Sequence, residues 1–370
     1  MKSTFTLVFF CLFIYHQVWS QGCVAIRHFS SCTAIGDGSN VHFQPGQWQF
    51  NTSYRYLKSH RHFRGDHEEV DRKVNNTEVV NNSHTLDLSL SFALNERLSF
   101  ALSIPVIYNN RSSLYEHGLV LGEYVKQERH TSQSSGFGDS RISASYWLLD
   151  FEKNPYQNIA LGLGLKIPTG DFKAGDDFYN VGPDGSMDFR PVDQSIQPGD
   201  GGWGITADVN AYKKLFGSLY LYANGFYLFN PRNTNGVRTF RETLVANILD
   251  NEAIMSVADQ YLMRLGLSQS LNFLPGLSWS LGGRIEGVPV SDLFGKSEGF
   301  RRPGYAFSIE PGLNWMKGKT NFGVSIPLAV YRNRLQSLTD LESQRIYGIE
   351  RHGDAAFADY LLIINYAYRF

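Results

Sequence analysis

The sequence predicts an all-β protein, a transmembrane antiparallel β-barrel of about twelve strands. Three observations lead to this prediction: segments of about ten residues with alternating side-chain character, an apolar face on most of them, and connections that alternate between short and long. Alternate side chains of a strand point to opposite faces, and a tilted strand of about ten residues crosses a bilayer. The connections therefore predict short periplasmic turns and long extracellular loops.

The N-terminal 46 residues are predicted to lie outside the barrel. Residues 1–20 have a positive start, a short apolar run and a small residue before the cut, which is typical of a secretory signal peptide. Residues 21–46 are expected to form a periplasmic segment, with the barrel over 47–370. In an exported protein Cys23 and Cys32 favour a disulfide that closes a short loop. Acylation of Cys23 is the alternative, although Ser20-Gln21-Gly22 is a poor lipobox.

The first strands show the alternation clearly. Over Gln47–Leu57, Trp48, Phe50, Tyr54 and Tyr56 share one face with Thr52, and polar residues occupy the other. The next two alternating segments are separated by a short polar turn, which is typical of a hairpin. In chain order the predicted strands cover residues 47–57, 84–94, 98–108, 139–149, 158–167, 203–212, 219–229, 261–271, 277–285, 305–315, 322–330 and 360–370.

The last strand, Tyr360–Phe370, must pair with the first to close the barrel. Every second residue counted back from Phe370 is large and apolar or aromatic, which suits a membrane interface. An open edge in hydrocarbon would leave backbone groups unsatisfied, so closure is expected. A terminal Phe resembles the last residue of outer-membrane barrels, where it is an assembly signal. Taken alone, this strand could equally be the edge of a soluble β-sandwich. The predicted location is the bacterial outer membrane.

One segment resembles a known family. Gly136, Gly138, Asp139 and Arg141 begin a strand, and a Gly-alternating strand follows that ends in the turn Pro168–Asp171. This arrangement resembles the outer-membrane channel family of the MetA-pathway-of-phenol-degradation type. The resemblance implies a channel for small solutes, including hydrophobic or aromatic ones.

The lumen-facing positions carry charges of both signs. Asp139 and Arg141 share a face, either as part of a charged constriction or as a structural ion pair near the strand end. Because a channel selective for one ion sign would show a bias, the mixture predicts a narrow or closed bore. The candidate lumen residues are Arg55, Asp87, Asp139, Arg141, Lys166, Arg284 and Glu310.

Composition and motifs exclude several function classes. The chain has 34 Lys+Arg against 35 Asp+Glu, so no basic field suggests nucleic acid as a partner. No cofactor or metal site is predicted, and the acidic loop 171–200 is interpreted as solvated rather than as a calcium site. The chain is not predicted to be an enzyme. A barrel enzyme acting on lipid, with His84 near Ser89 and Ser91, is one alternative function, and a non-conducting structural or surface-interaction barrel is the other.

The sequence therefore predicts a channel that passes small solutes through a narrow barrel lumen. Its expected partners are outer-membrane lipid, lipopolysaccharide, the barrel assembly machinery and a small-molecule solute. The predicted assembly signal is Phe370.

Overall fold

A computed structural model describes residues 43–121, 124–239 and 249–370. The predicted signal peptide and the Cys23–Cys32 pair lie outside the described residues. Within the described ranges, no helix is long and apolar enough to cross a membrane.

The described chain is almost entirely β-structure. Its first strands are β1 (Trp48–Arg64), β2 (His67–Glu68), β3 (Val80–Ala93), β4 (Leu98–Ser113), β5 (Gly118–Leu121), β6 (Tyr124–Gln127), β7 (His130–Phe137), β8 (Ser140–Trp147), β9 (Gln157–Ile167), β10 (Gly175–Phe178) and β11 (Asp188–Pro191). The others are β12 (Gly204–Phe216), β13 (Leu219–Phe229), β14 (Thr234–Arg238), β15 (Ile254–Ser256), β16 (Gln260–Ser270), β17 (Leu277–Val288), β18 (Gly304–Lys317), β19 (Thr320–Ser325), β20 (Leu328–Arg334) and β21 (Ala355–Arg369). The described ranges also contain two α-helices in loops, α1 (Asp71–Val74) and α2 (Leu338–Tyr347).

Twelve antiparallel strands form a closed barrel, as predicted. Their order around the wall is β1, β3, β4, β7 with β8, β9, β12, β13, β16, β17, β18, β19 with β20, and β21. The first and last strands close it: Gln49 pairs with Arg369 at one end and Phe63 pairs with Ala355 at the other. Trp48 and Phe370 exchange backbone hydrogen bonds of 3.2 and 3.0 Å at the rim.

Two of the twelve wall strands are interrupted. β7 and β8 both pair with β4, and the break between them falls at Gly138 and Asp139. β19 and β20 both pair with β18, and their break falls at Ile326 and Pro327. Proline has no N–H for a ladder hydrogen bond, which accounts for the second break. The first break lies within the family-like motif that begins at Gly136.

Connections alternate between short turns and long loops. Two-residue turns join β12 to β13 and β18 to β19. Their first residues are Gly217 and Gly318, with φ values of 52° and 58°. A side chain at these positions would be strained in the left-handed region. The long connections span residues 65–79, 114–129, 168–203, 230–259, 289–303 and 335–354. Both ends of the barrel sequence lie on the side of the short turns.

The two faces of the wall differ as the alternation requires. Outward side chains such as Leu163 and Leu265 are 67% and 59% exposed, which is the expected position for residues that contact lipid. Inward polar side chains are buried, for example Asn51 at 5% and Glu310 at 2%. Packing in the lumen is therefore largely between polar groups.

Several strands are longer than the alternation predicts. β1 continues to Arg64 through residues expected in a loop, and β4 continues to Ser113. The predicted loops 109–136, 171–202 and 230–257 also contain strands β5 to β7, β10, β11, β14 and β15. The reason is physical: beyond the bilayer both faces of a strand are polar, so alternation disappears while the backbone ladder persists.

Helix α2 lies in the last long loop and begins at a capping box. Ser337 accepts a hydrogen bond from the backbone N–H of Asp340, and the Asp340 carboxylate accepts one from the backbone N–H of Ser337. The helix ends at Gly348, which has φ 67°. Its buried residues are polar, because they face the charged loops above the lumen.

Candidate functional site

A layer of charged side chains crosses the middle of the lumen. Arg55 on β1 lies 3.7 Å from Asp87 on β3, measured from guanidinium nitrogen to carboxylate oxygen. Across the barrel, Arg264 on β16 forms a 2.7 Å ion pair with Glu310 on β18. Arg284 on β17 completes the far wall, 2.8 Å from Glu286 and 3.7 Å from Glu310. We refer to these residues, with Arg141 and Asp208, as the charged layer.

Arg141 belongs to this layer but is not paired with Asp139. Its guanidinium donates to Asp208 on β12 at 3.1 Å and lies 5.7 Å from the ring of Phe226. The ion pair considered between Asp139 and Arg141 is therefore not formed, because the break at Asp139 turns its carboxylate toward other partners. Asp208 was missed by sequence reasoning, although its inward parity on β12 could have identified it.

Asp139 and Lys166 form a clasp at the ends of β8 and β9. The Asp139 carboxylate accepts hydrogen bonds from the backbone N–H groups of Gly170 and Asp200 at 3.0 and 3.1 Å. The fully buried ammonium of Lys166 donates to the Asp200 carboxylate and lies 3.9 Å from that of Asp139. A buried ammonium between two carboxylates is compensated, so the clasp fixes the start of β12 to the end of β9.

The glycines of the recognised motif permit this clasp. A Cβ atom at Gly170 would lie 2.8 Å from the Cα atom of Gly199 and 2.9 Å from the carbonyl carbon of Gly138. Thr169 adds two hydrogen bonds of 2.9 Å, one accepted from the backbone N–H of Ser140 and one donated to the carbonyl of Gly138. The motif is thus a three-segment junction that only glycine can pack.

From this junction the chain turns into the lumen. We call residues 192–200 the inward segment. The carbonyl oxygen of Ile196 accepts a hydrogen bond of 3.0 Å from Asn109, an inward-facing residue of β4, and another from Ser134 of β7. Ile196 is only 1% exposed. The interpretation of 171–200 as a solvated loop is therefore wrong for this part, because hydrogen bonds to the wall replace those to water.

Asp193 fixes the tip of the inward segment between two walls. Its carboxylate lies 2.6 Å from Arg302, which precedes β18, and 3.6 Å from Arg111 on β4. These strands are third and tenth in the order around the twelve-stranded wall. Burial alone would raise the pKa of Asp193, but the two guanidinium groups hold it well below its usual range. The segment is an obstruction held by ion pairs.

Above the inward segment lies a small charged cavity of about 90 Å³. His62 borders it and forms a 2.6 Å hydrogen bond to Asp354, which also lies 2.9 Å from Arg72. Burial would raise the pKa of Asp354, whereas His62 and Arg72 hold it well below its usual range. The other charged lining residues are Arg111, Glu252, Arg302, Arg334, Asp340 and Arg351.

Below the charged layer, toward the short turns, the lumen has an aromatic wall. Trp147 packs edge-on against Phe151 at 5.5 Å and against Tyr212 at 5.9 Å between ring centroids. Tyr220 and Tyr222 of β13 extend the cluster. Sequence reasoning missed it because the facing of residues 219–229 could not be assigned. Small inward residues line other parts of this region, among them Ser91, Ala101, Ser143 and Ser145.

An amide relay faces the same lower region. Arg369 donates to Gln49 at 2.8 Å, and Gln49 donates to Asn51 at 2.5 Å. The arginine side chain can only donate, so the Gln49 side-chain oxygen must face Arg369 and the Gln49 amide nitrogen must face Asn51. The Asn51 amide nitrogen is then the last group of the relay, and it has no hydrogen-bond partner among the described residues. The lower lumen is thus polar on one side and aromatic on the other.

All seven predicted lumen residues are inward and buried, but they do not form one site. Arg55, Asp87, Arg141, Arg284 and Glu310 belong to the charged layer, whereas Asp139 and Lys166 belong to the clasp. Among the described residues, no group of three or more His, Cys, Asp or Glu could hold a metal ion. His84 lies on the outer face, where Tyr54 contacts its ring nitrogen at 2.8 Å, while Ser89 faces inward.

This chain is similar to known proteins in both sequence and fold. Residues 113–211 match the family model described as "Putative MetA-pathway of phenol degradation", which confirms the resemblance predicted from the sequence. The structure is similar to the COG4313 outer membrane channel from Pseudomonas putida F1, with a TM-score of 0.54 and 13% identity, over 89% of this chain and 97% of that chain.

Two further solved structures match over most of their length. The CymD monoaromatic hydrocarbon channel matches with a TM-score of 0.42 and 8% identity, over 95% of this chain and 98% of that one. The Pseudomonas putida toluene transporter TodX matches with a TM-score of 0.45 and 8% identity, over 95% and 96%. The fold is that of an outer-membrane β-barrel.

Proposed function

We propose that this chain is an outer-membrane channel that passes small solutes, including hydrophobic or aromatic ones, through its lumen. The observation that carries the proposal is the nature of the obstruction. The lumen is closed by ion pairs and hydrogen bonds, of which Asp193 with Arg302 at 2.6 Å is the central example. Water can replace the partners in such contacts, whereas a lumen filled by an apolar core would have to unfold to open.

The two ends of the lumen suit different parts of a solute. The charged layer and the Arg111–Asp193–Arg302 contact would admit water and small polar groups when the inward segment moves. Below them, the packed rings of Trp147 and Tyr212, 8% and 4% exposed, form an apolar wall whose chemistry suits an aromatic group. The name of the matched family supports the same solute class.

The alternative of a lipid-acting enzyme finds no support in the geometry. A serine nucleophile needs a histidine within hydrogen-bond reach. His84 and Ser89 lie on opposite faces of β3, so the barrel wall separates them. We therefore also propose that the chain is not an enzyme. A non-conducting structural barrel is the alternative that the next experiment addresses.

The proposal also keeps three predictions made from the sequence. These are the N-terminal disulfide, the assembly role of Phe370, and the binding of lipopolysaccharide and of the assembly machinery. The two hydrogen bonds between Phe370 and Trp48 support a role for the terminal residue in closing the barrel.

The direct test is single-channel recording from the full-length protein in planar bilayers. We expect discrete current steps, and interruptions of the current when a water-soluble aromatic solute is added. Arg141→Ser should shift selectivity toward cations because it removes a lumen cation, whereas Arg345→Ser, at an exposed position of helix α2, should not. Absence of current steps from both wild type and Asp193→Asn would refute the proposal and favour a structural barrel. Current without interruptions would refute its aromatic part.

A further inference from the structure

The loop between β17 and β18 presents two apolar side chains to the outside of the barrel. Leu293 and Phe294 are 62% and 63% exposed. The ring of Phe294 lies 5.8 Å from that of Phe229, an outward-facing residue at the extracellular end of β13. The tip of this loop therefore lies against the outer wall and not over the lumen.

The wall beneath this tip carries a row of tyrosines. Tyr227 on β13 and Tyr261 on β16 are register neighbours with rings stacked at 6.4 Å. Gly287 on β17 comes next in the row, and Tyr305 on β18 follows it. Tyrosines in such a row sit at the boundary between hydrocarbon and headgroups. Tyr227 and Tyr305 are half-buried and Tyr261 is 5% exposed, so the row is partly covered, and the loop tip lies beside it at the outer edge of the wall.

A buried network of hydrogen bonds and an ion pair holds the tip in one position. The carboxylate of Asp259 accepts hydrogen bonds from the Leu293 backbone N–H and the Tyr227 hydroxyl, both at 2.9 Å. Asp292 forms a bidentate ion pair with Arg301, with nitrogen–oxygen distances of 2.9 and 2.6 Å. It also accepts a hydrogen bond of 2.8 Å from the Asp259 backbone N–H. These carboxylates are buried and fully engaged.

Backbone geometry completes the presentation of the tip. Gly295 has φ 100° and packs against the side-chain oxygen of Asn233, so the chain turns sharply after Phe294. Asn233 also accepts from the Lys296 backbone N–H at 2.8 Å. Two apolar side chains are therefore exposed at a fixed position, although a soluble loop would gain by replacing them with polar residues.

We propose that Leu293 and Phe294 form a lipid-binding tip that inserts between the acyl chains of lipid A in the outer leaflet, an inference that rests on the proposed outer-membrane location. Continuity with the tyrosine row decides for lipid over a protein partner, since the exposed side chains lie at the height where acyl chains begin. Insertion removes both side chains from water, and the buried Asp259–Asp292–Arg301 network maintains the orientation in which they enter.

The test is site-specific photocrosslinking in cells that assemble the full-length protein. A benzophenone amino acid is placed at Phe294, and the matched control position is Phe189, which is 68% exposed on the loop between β9 and β12. We expect an adduct that reacts with antibody to lipid A at position 294 and none at position 189. Equal adducts at both positions, no lipid adduct at 294, or a protein adduct at 294 would each overturn the proposal.

A second variant tests whether the tip is preformed. Asp292→Asn removes the charge that Arg301 binds, and it should reduce the lipid adduct at position 294 while the barrel stays folded. Folding is checked by the heat-dependent shift of the barrel on gels. An undiminished adduct in folded Asp292→Asn protein would show that rigid presentation is not required and would refute that part of the inference.

Discussion

Replacing Asp193 by Asn should open the lumen. Asp193 is 2% exposed and its carboxylate is the shared partner of Arg302 and Arg111, at 2.6 and 3.6 Å. Breaking a buried ion pair from one side costs about 3–5 kcal/mol. Asn keeps the shape and one acceptor oxygen, so the lower end, about 3 kcal/mol, applies. Since 1.4 kcal/mol is a factor of ten, the ratio of open to closed states should rise roughly a hundredfold.

The assay is the open probability of single channels in planar bilayers. Asp184→Asn makes the same change in the same loop, at an exposed position away from the inward segment, and should leave the open probability unchanged. If Asp193→Asn and Asp184→Asn behave alike, the ion pairs at Asp193 do not hold the obstruction and the reasoning is refuted.

The pKa of Asp193 gives this prediction a pH dependence. Because the folded-state pKa is held below its usual range, the stabilisation is fully present above about pH 4 and is lost only as the pH falls through the lowered value. Acidification from pH 7 to pH 5 should therefore not open wild-type channels through this residue. Opening over that range that persists in Asp193→Asn would have to arise from another group.

Three further predictions address other parts of the molecule. Burial, with a smaller effect of His130, lowers the pKa of His117 to about 4. Because this fully buried ring is neutral in the folded protein, its loop contacts should be stable above about pH 6.5 and weaken as the pH falls toward 4. Limited proteolysis at pH 7 and 4.5 measures this, and a pH effect that persists in His117→Gln would contradict it. Deleting Phe370, which exchanges two hydrogen bonds with Trp48, should impair assembly in cells more than refolding in detergent; equal, mild effects would reduce it to an ordinary interfacial aromatic. Gly282→Ala should destabilise the barrel by about 1–3 kcal/mol, because the added Cβ would lie 2.5 Å from the Tyr222 hydroxyl, with partial recovery in the double variant with Tyr222→Phe; an unchanged unfolding midpoint would exclude the close packing.

Most of the barrel could be predicted because each wall strand carries its own pattern. Residues 47–57 alternate between aromatic and polar, and in the structure Gln49, Asn51 and Arg55 face inward and are buried. The pattern fails where its physical cause ends. Above the bilayer both faces of β1 and β4 are polar except at Phe63, so the continuation to Arg64 and Ser113 left no periodic signal.

The candidate lumen residues could be predicted as a face but not as a set of contacts. Parity placed Asp139 and Arg141 inward, yet Arg141 pairs with Asp208, 67 residues along the chain. Asp139 instead accepts from Gly170 and Asp200. Partners of this kind depend on which strands lie side by side and where one is broken, and one strand's sequence carries no information about either.

The sequence alone determined that this chain is a membrane barrel of twelve antiparallel strands, because the pleat of a strand and the thickness of a bilayer impose a period and a length on each segment. Only the tertiary structure decided what fills the barrel. Residues 192–200 turn inward because the close packing of Gly138, Gly170 and Gly199 directs the chain across the lumen. Asp193 then lies between Arg111 and Arg302. Contacts between distant segments fix that direction, so no local pattern could have shown it.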